Sequence, residues 1–186
     1  LSSSFADSGT GTNLQNISGR MKDIFVAPEG WCFVNVDLGQ GDSRAVAAIC
    51  WEWFHESHGE GFAGAYLDAC EAGDLHSAVC KMAWTDPEWG DDPKGWKKVA
   101  GQIAYRDKSY RDLAKMLGHG SNYGGLPPTM AGHTKLPVSL VSDFQKRYFS
   151  AFPCVVEWQK ETLRRLETTR TLTTIFGRRR AFWGDP

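Results

Sequence analysis

The sequence predicts an α+β fold: a short strand with a flanking loop, then a mainly helical middle, and finally a terminal β-hairpin. Three observations carry this prediction. Residues 31–38 alternate apolar with small or polar positions, several segments between residues 41 and 168 repeat apolar residues at helical spacing, and residues 171–183 alternate again around Gly177. Alternation with a period of two is typical of strands, and a spacing of three or four residues is typical of amphipathic helices.

The composition describes a folded chain without membrane-spanning character. Of the 186 residues, 41% are hydrophobic and 12% are aromatic, which is enough to bury the core of one domain or slightly more. No apolar run approaches the roughly 20 residues that a bilayer-spanning helix needs, so we expect no membrane partner. The five cysteines are scattered and form no CxxC pair. Their spacing predicts reduced thiols in the cytoplasm rather than a structural zinc site.

The charged residues are distributed unevenly along the chain. The net charge is −1 and the pI is about 6.6, which by itself does not predict binding to nucleic acid. Two stretches are nevertheless rich in cations, namely Lys94, Lys97, Lys98, Arg106, Lys108, Arg111 and Lys115 in one, and Lys160, Arg164, Arg165, Arg170, Arg178, Arg179 and Arg180 in the other. Such clustering predicts a positively charged surface that faces a polyanion. A solvated, charged helix face is the alternative.

The first third of the chain is predicted to form a loop, a strand and a helix. Residues 1–20 are rich in Ser, Thr, Gly and Asn, which indicates a loop. Residues 31–38 read WCFVNVDL and predict a half-buried strand that presents Asp37 at its end. A helical pattern follows from residue 44 to residue 51. An aspartate in this place serves either as a metal ligand or as the N-cap of the next helix.

The rest of the chain alternates predicted helices with loops. Residues 51–75 are predicted to hold a helix end and a turn, and we expect no metal site at His55 and His58, which are three residues apart in that turn. We further predict helices over residues 74–84, 109–124, 137–150 and 154–168, loops over residues 85–108 and 126–137, and a β-hairpin over residues 171–183.

The helix predicted over residues 109–124 carries four side chains at steps of four residues. Arg111, Lys115, His119 and Tyr123 therefore form one stripe along it. Two cations that can bind phosphates, followed by two planar groups that can stack on a base, predict a nucleotide lying along the helix. The alternative is a solvated Arg/Lys face with a tyrosine packed beneath it.

Glycine is unusually frequent in the second half of the same helix, at positions 118, 120 and 124. Each glycine costs about 1 kcal/mol of helix stability relative to alanine. This cost predicts that something flat approaches the helix closely.

The stripe resembles motif B of the family A DNA polymerases, the helix of the fingers that closes over the incoming nucleotide. Residues 36–47, VDLGQGDSRAVA, resemble motif A of that family, and LSSS and NLQNI within residues 1–17 resemble the run that precedes it. RYFSAFPCVVEWQ and TLTTIFGRRR are similar to later segments, so the resemblance covers nearly the whole chain in order. The chain departs from the family at His119, where Phe or Tyr is usual, at Asp42 in place of Glu, and at Ser18 in place of Pro.

The resemblance implies a role for each residue that matches a family motif. Asp37 and Leu38 would bind two Mg²⁺ ions, and the catalytic residues would be Asp37 and Lys115, with Lys115 protonating the leaving pyrophosphate. The nucleotide-binding residues would be Arg20, Gln40, Asp42, His76, Arg111, Lys115, His119 and Tyr123. The DNA-binding residues would be Asn13, Gln15, Asn16, Arg44 and Gly124.

The resemblance also implies an organisation into subdomains. Residues 1–52 would form a partial palm with the duplex-contact loop and motif A, residues 53–168 the fingers, and residues 169–186 a β-hairpin at the end of the fingers. The implied partners are primer–template DNA, deoxynucleoside triphosphates and the remaining polymerase sequence with motif C, whose carboxylate this chain lacks.

The expected activity is DNA-directed DNA synthesis by two-metal phosphoryl transfer, in a bacterial cytoplasm or in a phage protein within a bacterial host, with the fragment inactive alone. The alternatives are a fragment of a single-subunit RNA polymerase, which the acidic Asp42 disfavours, and a non-catalytic nucleic-acid-binding module.

Overall fold

The computed structural model describes residues 19–34, 36 and 38–184, with residues 19 and 20 described by their backbone alone. The chain divides into two compact units, Leu1–Leu38 and Gly39–Pro186. The loop predicted over residues 1–20 therefore lies almost wholly outside the described residues.

The described part of the first unit consists of a short helix and irregular backbone. Helix α1 (Gly19–Lys22) is followed by turns, in one of which the backbone N–H of Trp31 donates to the carbonyl of Pro28. The strand predicted over residues 31–38 does not form among the residues described there, so that prediction is wrong for them. A β-strand forms through backbone hydrogen bonds to a neighbouring strand, and the described sheets are built from other segments of the chain.

The second unit is mainly helical, as predicted. Its described helices are α2 (Gly41–His58), α3 (Glu60–Glu71), α4 (Leu75–Ala83), α5 (Pro93–Ala100), α6 (Tyr110–Asn122), α7 (Pro127–Thr134), α8 (Val138–Ala151) and α9 (Pro153–Thr169). Strands β1 (Ile103–Tyr105) and β2 (Lys108–Ser109) form one antiparallel pair, and β3 (Thr171–Thr173) and β4 (Arg179–Ala181) form another. The second pair is the predicted terminal hairpin, with Leu172 opposite Arg180. The α+β fold class is therefore confirmed.

The segment 85–108 contains helix α5 and the β1–β2 hairpin, so the loop predicted there is wrong. The carboxylate of Asp92 accepts a hydrogen bond of 3.0 Å from the backbone N–H of Lys94, and Pro93 occupies the first turn of α5. Aspartate at the N-cap and proline in the first turn are favourable at a helix start. Residues that suggested a loop by composition thus begin a helix.

Two shorter segments were also wrongly predicted as turns. Helix α2 continues to His58 and α3 begins at Glu60, so the turn expected between them is reduced to Gly59, whose φ is +85°. Pro127 lies in the first turn of α7, where proline is tolerated because the backbone N–H there has no helical partner. The predicted boundary between palm and fingers, after residue 52, falls within α2, and the subdivision stays a prediction.

The hydrophobic core of the second unit fixes the orientation of α6. Leu113 and Leu117 of α6, Val141 of α8 and Val155 of α9 are at most 1% exposed. Full burial of one such side chain contributes about 1.5–3 kcal/mol relative to exposure. One face of α6 is therefore committed to the core, and the opposite face is turned to solvent.

None of the helices within the described ranges is both long enough and apolar enough to cross a bilayer. The cysteines are free thiols, with Cys32 exposed and Cys50, Cys70, Cys80 and Cys154 buried.

Candidate nucleotide-binding site

Helix α6 begins with a reciprocal cap that holds its first turn. The hydroxyl of Ser109 accepts a hydrogen bond of 3.1 Å from the backbone N–H of Asp112, and the carboxylate of Asp112 accepts one of 3.2 Å from the backbone N–H of Ser109. This capping box satisfies two backbone donors that the helix leaves without partners. The helix that carries the predicted stripe is therefore fixed from its first residue.

The predicted stripe lies on the solvent-facing side of α6. Arg111 is half-buried, whereas Lys115, His119 and Tyr123 are exposed. The exposed fraction of Tyr123 is 67%, so the tyrosine is not packed beneath the cations, as the alternative interpretation required. The four side chains together present two cations, an imidazole and a phenol to solvent along about three turns of helix.

The glycines of α6 face protein rather than a ligand, which corrects the prediction made from them. A Cβ at Gly118 would lie 3.6 Å from the ring of Tyr148, and a Cβ at Gly120 would lie 2.7 Å from the Cε of Met130. The close approach that glycine permits is therefore made by α8 and α7. Gly124 lies beyond the end of the helix with φ +72°, a left-handed conformation that glycine adopts without strain.

At the N-terminal end of the stripe, the guanidinium of Arg111 is bound by a carboxylate of α4. Its Nε and Nη2 donate to the two oxygens of Asp74 at 3.0 Å and 2.9 Å. Burial alone would raise the pKa of Asp74, but the hydrogen bonds from Arg111 and Ser77 outweigh it and lower the pKa to about 2. The carboxylate is therefore ionised throughout the physiological range.

His76 lies close to this ion pair and to the cations of the stripe. Burial lowers the pKa of His76, and the positive charges of Arg111 and Lys115 lower it further, while Asp74 opposes them. An imidazole in this environment is mainly neutral at pH 7 and gains a proton when an anion binds beside it.

At the other end of the stripe, His119 and Tyr123 meet the first turn of α2. The Nε2 of His119 lies 3.6 Å from the carboxylate of Asp42, and the rings of His119 and Tyr123 are 4.9 Å apart in an edge-to-face arrangement. Burial raises the pKa of the Tyr123 phenol, and the charge of Asp42 raises it further. An acid, an imidazole and a phenol therefore form one cluster.

Arg44 fastens the start of α2 to the last turn of α3, and Gln40 fastens it to the connection between α3 and α4. The side-chain amide of Gln40 donates to the carbonyl of Gly73 at 3.1 Å, and its buried Oε1 has no hydrogen-bond partner. Nη2 of Arg44 donates to the carbonyl of Cys70 at 2.9 Å. Since Gly73 directly precedes Asp74, the Gln40 contact connects the start of α2, which carries Asp42, to the residue that binds Arg111.

Some of the predicted site residues lie near one another in the structure, and their roles stay predictions. Asp42, His76, Arg111, Lys115, His119 and Tyr123 line or border the stripe, and Gly124 directly follows Tyr123. Gln40 and Arg44 lie beside Asp42 in the chain and bind the backbone of Gly73 and Cys70. Leu38 belongs to the first unit and is exposed. Asn13, Gln15, Asn16 and Asp37, and the side chain of Arg20, lie outside the described residues.

Asp74 and Ser77 are the residues of this site that the sequence did not assign to it. Asp74 occupies the N-cap position of α4, but its side chain makes no capping hydrogen bond and accepts hydrogen bonds from Arg111 and the Ser77 hydroxyl instead. The acid and the arginine are 37 residues apart, so no local spacing signals their pairing.

The described residues do not assemble a complete metal centre. They contain no group of three or more His, Cys, Asp or Glu side chains that could hold an ion. The ring of His55 stacks on the ring of Trp51, with centroids 5.2 Å apart, and its Nδ1 lies 2.8 Å from the Trp51 carbonyl oxygen.

Comparison with known proteins relates this chain to one class of enzyme. No protein-family model matches the chain. It is 29% identical to the thermostable DNA polymerase I of Thermus thermophilus, 30% identical to that of Thermus filiformis and 27% identical to that of Thermus aquaticus, each over 179 residues. These matches cover 93% of this chain and 18% of the length of each relative.

The similarity confirms the relationship that the motifs predicted. The chain is homologous to a segment of the family A DNA polymerases. It spans about a fifth of the length of these relatives.

Proposed function

We propose that this chain forms the fingers and part of the palm of a DNA-directed DNA polymerase, and that α6 binds the incoming deoxynucleoside triphosphate. The observation that carries this proposal is the solvent-facing stripe on α6. It presents cations at one end and planar groups beside an acid at the other, as a triphosphate joined to a sugar and base requires.

The cationic end of the stripe would bind the triphosphate. Arg111 and Lys115 lie one helical turn apart, and His76 of α4 is close enough for their charges to lower its pKa. Charged hydrogen bonds to phosphate oxygens are short and strong, and arginine can make two at once. Arg20 would add a further phosphate contact, as the resemblance implies.

The planar end of the stripe would bind the base and the sugar. His119 would stack beneath the base, while Tyr123 and Asp42 would close the sugar pocket, with Gln40 supporting them. An acidic side chain near the 2′ position disfavours a ribonucleotide, since a 2′-hydroxyl would have to approach it. Asp42 therefore favours DNA synthesis over the RNA polymerase alternative.

The reaction of the whole enzyme would be attack of a primer 3′-hydroxyl on the α-phosphorus of the nucleotide. The new P–O bond forms as the bond to the β-phosphate oxygen breaks, and pyrophosphate leaves. Arg111, Lys115 and His76 would stabilise the negative charge on the departing phosphates, and Lys115 would give its proton to them.

The remaining assignments rest on the resemblance. Mg²⁺ would supply charge stabilisation in the complete enzyme, and we assign Asp37 and Leu38 to it. The described residues form no complete donor set, and Asp37 lies outside them. DNA contacts are assigned to the amides Asn13, Gln15 and Asn16, and to Arg44 and Gly124.

On the same resemblance, we propose that the activity belongs to a bacterial cytoplasm or to a phage protein within a bacterial host. We further propose that the 186-residue chain does not extend a primer by itself, because the second metal carboxylate belongs to motif C.

The test is nucleotide binding by the full-length protein that contains this chain. Lys115→Gln should weaken the affinity for dATP, opposite a template thymine, about 10- to 100-fold, the effect of losing one charged hydrogen-bonding group. The matched control is Lys146→Gln, whose lysine pairs with Asp143 on the exposed surface of α8 and lies outside both cationic stretches. Single-turnover incorporation at varied dATP concentration gives the dissociation constant and the maximal rate separately.

Three outcomes of this experiment would contradict the proposal. If Lys115→Gln and the control variant bind dATP with equal affinity, the stripe does not bind the nucleotide. DNA binding without any incorporation by the full-length protein would favour a non-catalytic module. Preferential incorporation of ribonucleotides would favour the RNA polymerase alternative.

A further inference from the structure

The ion pair between Asp74 and Arg111 joins two helices at the cationic end of the stripe. Both side chains are partly buried, with exposed fractions of 23% for Asp74 and 36% for Arg111. Both carboxylate oxygens are used, each by a different nitrogen of the guanidinium. A two-point contact fixes the orientation of the guanidinium plane as well as its position.

The carboxylate is itself held in place at the start of α4. The Ser77 hydroxyl donates to Asp74 Oδ2, and the Asp74 carbonyl accepts from the backbone N–H groups of Ser77 and Ala78 at 3.0 Å and 3.1 Å. The guanidinium of Arg111 is thus tied to the rigid end of a helix rather than to a loop.

The geometry of the contact determines which part of Arg111 remains available. The carboxylate occupies Nε–H and one N–H of Nη2. A guanidinium has five N–H donors, so both donors of Nη1 and the second donor of Nη2 are left for another acceptor. This remaining edge can itself make a two-point contact with a phosphate.

We propose that Asp74 is a positioning residue for the triphosphate: it orients the Nη1–Nη2 edge of Arg111 toward phosphate oxygens beside Lys115 and His76. This inference rests on the proposed function and extends it to a residue that does not itself contact the nucleotide. Asp74 acts through Arg111, since its own negative charge would repel the phosphates.

The orienting role and the charge of Asp74 have opposite effects on nucleotide affinity, and one substitution separates them. Asp74→Glu keeps the charge and moves the carboxylate outward by one methylene group. Loss of orientation would therefore weaken binding in this variant, while the electrostatic repulsion stays nearly the same. Asp143→Glu is the matched control, because Asp143 is an exposed acid on α8 that pairs with Lys146.

The experiment is a double-mutant cycle on dATP binding by the full-length protein with primer–template DNA. The four proteins are the wild type, Asp74→Glu, Arg111→Gln and the double variant. We expect Asp74→Glu to weaken dATP affinity about tenfold, the size of effect expected for one misaligned charged contact. In the Arg111→Gln background the same change should alter affinity by less than about twofold, because the group that Asp74 orients is gone.

The cycle separates a positioning role from a purely structural one. A structural role at the start of α4 would weaken binding equally in both backgrounds, and that result overturns the proposal. Unchanged affinity in Asp74→Glu also overturns it. If Arg111→Gln and Lys115→Gln leave dATP affinity unchanged, the proposed function itself fails. If they weaken it and Asp74→Glu does not, only the role of Asp74 fails.

Discussion

Replacing Tyr148 by phenylalanine removes one hydroxyl from a buried network that holds the last turn of α6. The hydroxyl oxygens of Tyr148 and Tyr66 are 2.8 Å apart, and the Tyr148 hydroxyl lies 2.9 Å from Asn122 Oδ1. The side-chain amide of Asn122 donates to the Tyr66 hydroxyl at 2.8 Å, which closes a ring of three groups. Asn122 directly precedes Tyr123, so this ring connects the core to the planar end of the stripe.

The size of the effect follows from counting protons in the ring. Burial raises the pKa of Tyr148 well above its ordinary value, so the hydroxyl keeps its proton and donates it to Asn122. In Tyr148→Phe, Asn122 Oδ1 loses its donor, while Tyr66 retains Ser43 as a neighbour. Asn122 is only 4% exposed, and an unpaired buried polar group costs about 1–3 kcal/mol. We therefore expect the free energy of unfolding to fall by about 2 kcal/mol.

Equilibrium unfolding in urea, followed by tryptophan fluorescence, measures this loss. The urea concentration at the midpoint of unfolding should fall. The slope of the unfolding free energy against urea concentration should stay constant, because the same surface is exposed on unfolding. Tyr123→Phe is the control, since its exposed hydroxyl should contribute less than about 0.5 kcal/mol. A loss in Tyr148→Phe no larger than in this control would refute the assignment of the network.

Two further predictions concern the proposed site. In this chain the carboxylate of Asp42 lies 3.6 Å from Nε2 of His119. Asp42→Glu lengthens this side chain by one methylene group, so the full-length variant should exclude ribonucleotides more strictly than the wild type. Insertion kinetics with matched deoxy and ribo substrates measure this, and equal discrimination by the two proteins would contradict the steric argument. Affinity for dATP should rise as the pH falls through the pKa of His76 in the complex, because a bound triphosphate favours protonated His76, whose pKa burial holds low in the free protein. This gain is lost as the pH rises through the pKa of His76 in the complex. The dependence of dATP affinity on pH should flatten in His76→Gln. It should persist in the control His133→Gln, which changes an exposed histidine of α7. If His76→Gln and the wild type show parallel pH profiles, His76 is excluded as the source of the dependence.

The sequence by itself determined the features that depend on neighbouring residues along the chain. The stripe of Arg111, Lys115, His119 and Tyr123 was predictable because side chains four residues apart share a helix face whatever lies around the helix. The terminal hairpin around Gly177 was predictable for a similar reason, since alternation and turn residues are local signals. The relationship to family A DNA polymerases likewise followed from short motifs in a fixed order.

The tertiary structure alone decided which side chains meet across elements. The pairing of Arg111 with Asp74 joins residues 37 positions apart, and the approach of His119 to Asp42 joins α6 to α2. The surroundings of the α6 glycines were also decided by tertiary structure. The sequence shows where side chains are missing, but not that Tyr148 and Met130 occupy the space.

Secondary structure that depends on distant contacts was decided in the same way. Helix α5 lies in a segment whose composition suggested a loop, and it is fastened to α4, because the indole N–H of Trp96 and the ammonium of Lys81 both donate to the carbonyl of Gly90. The alternating residues 31–34, 36 and 38 form no strand, because backbone hydrogen bonds in a sheet need a partner strand that a local pattern cannot supply. Periodicity determines which face of an element is apolar, whereas the packing of the whole chain determines what that face contacts.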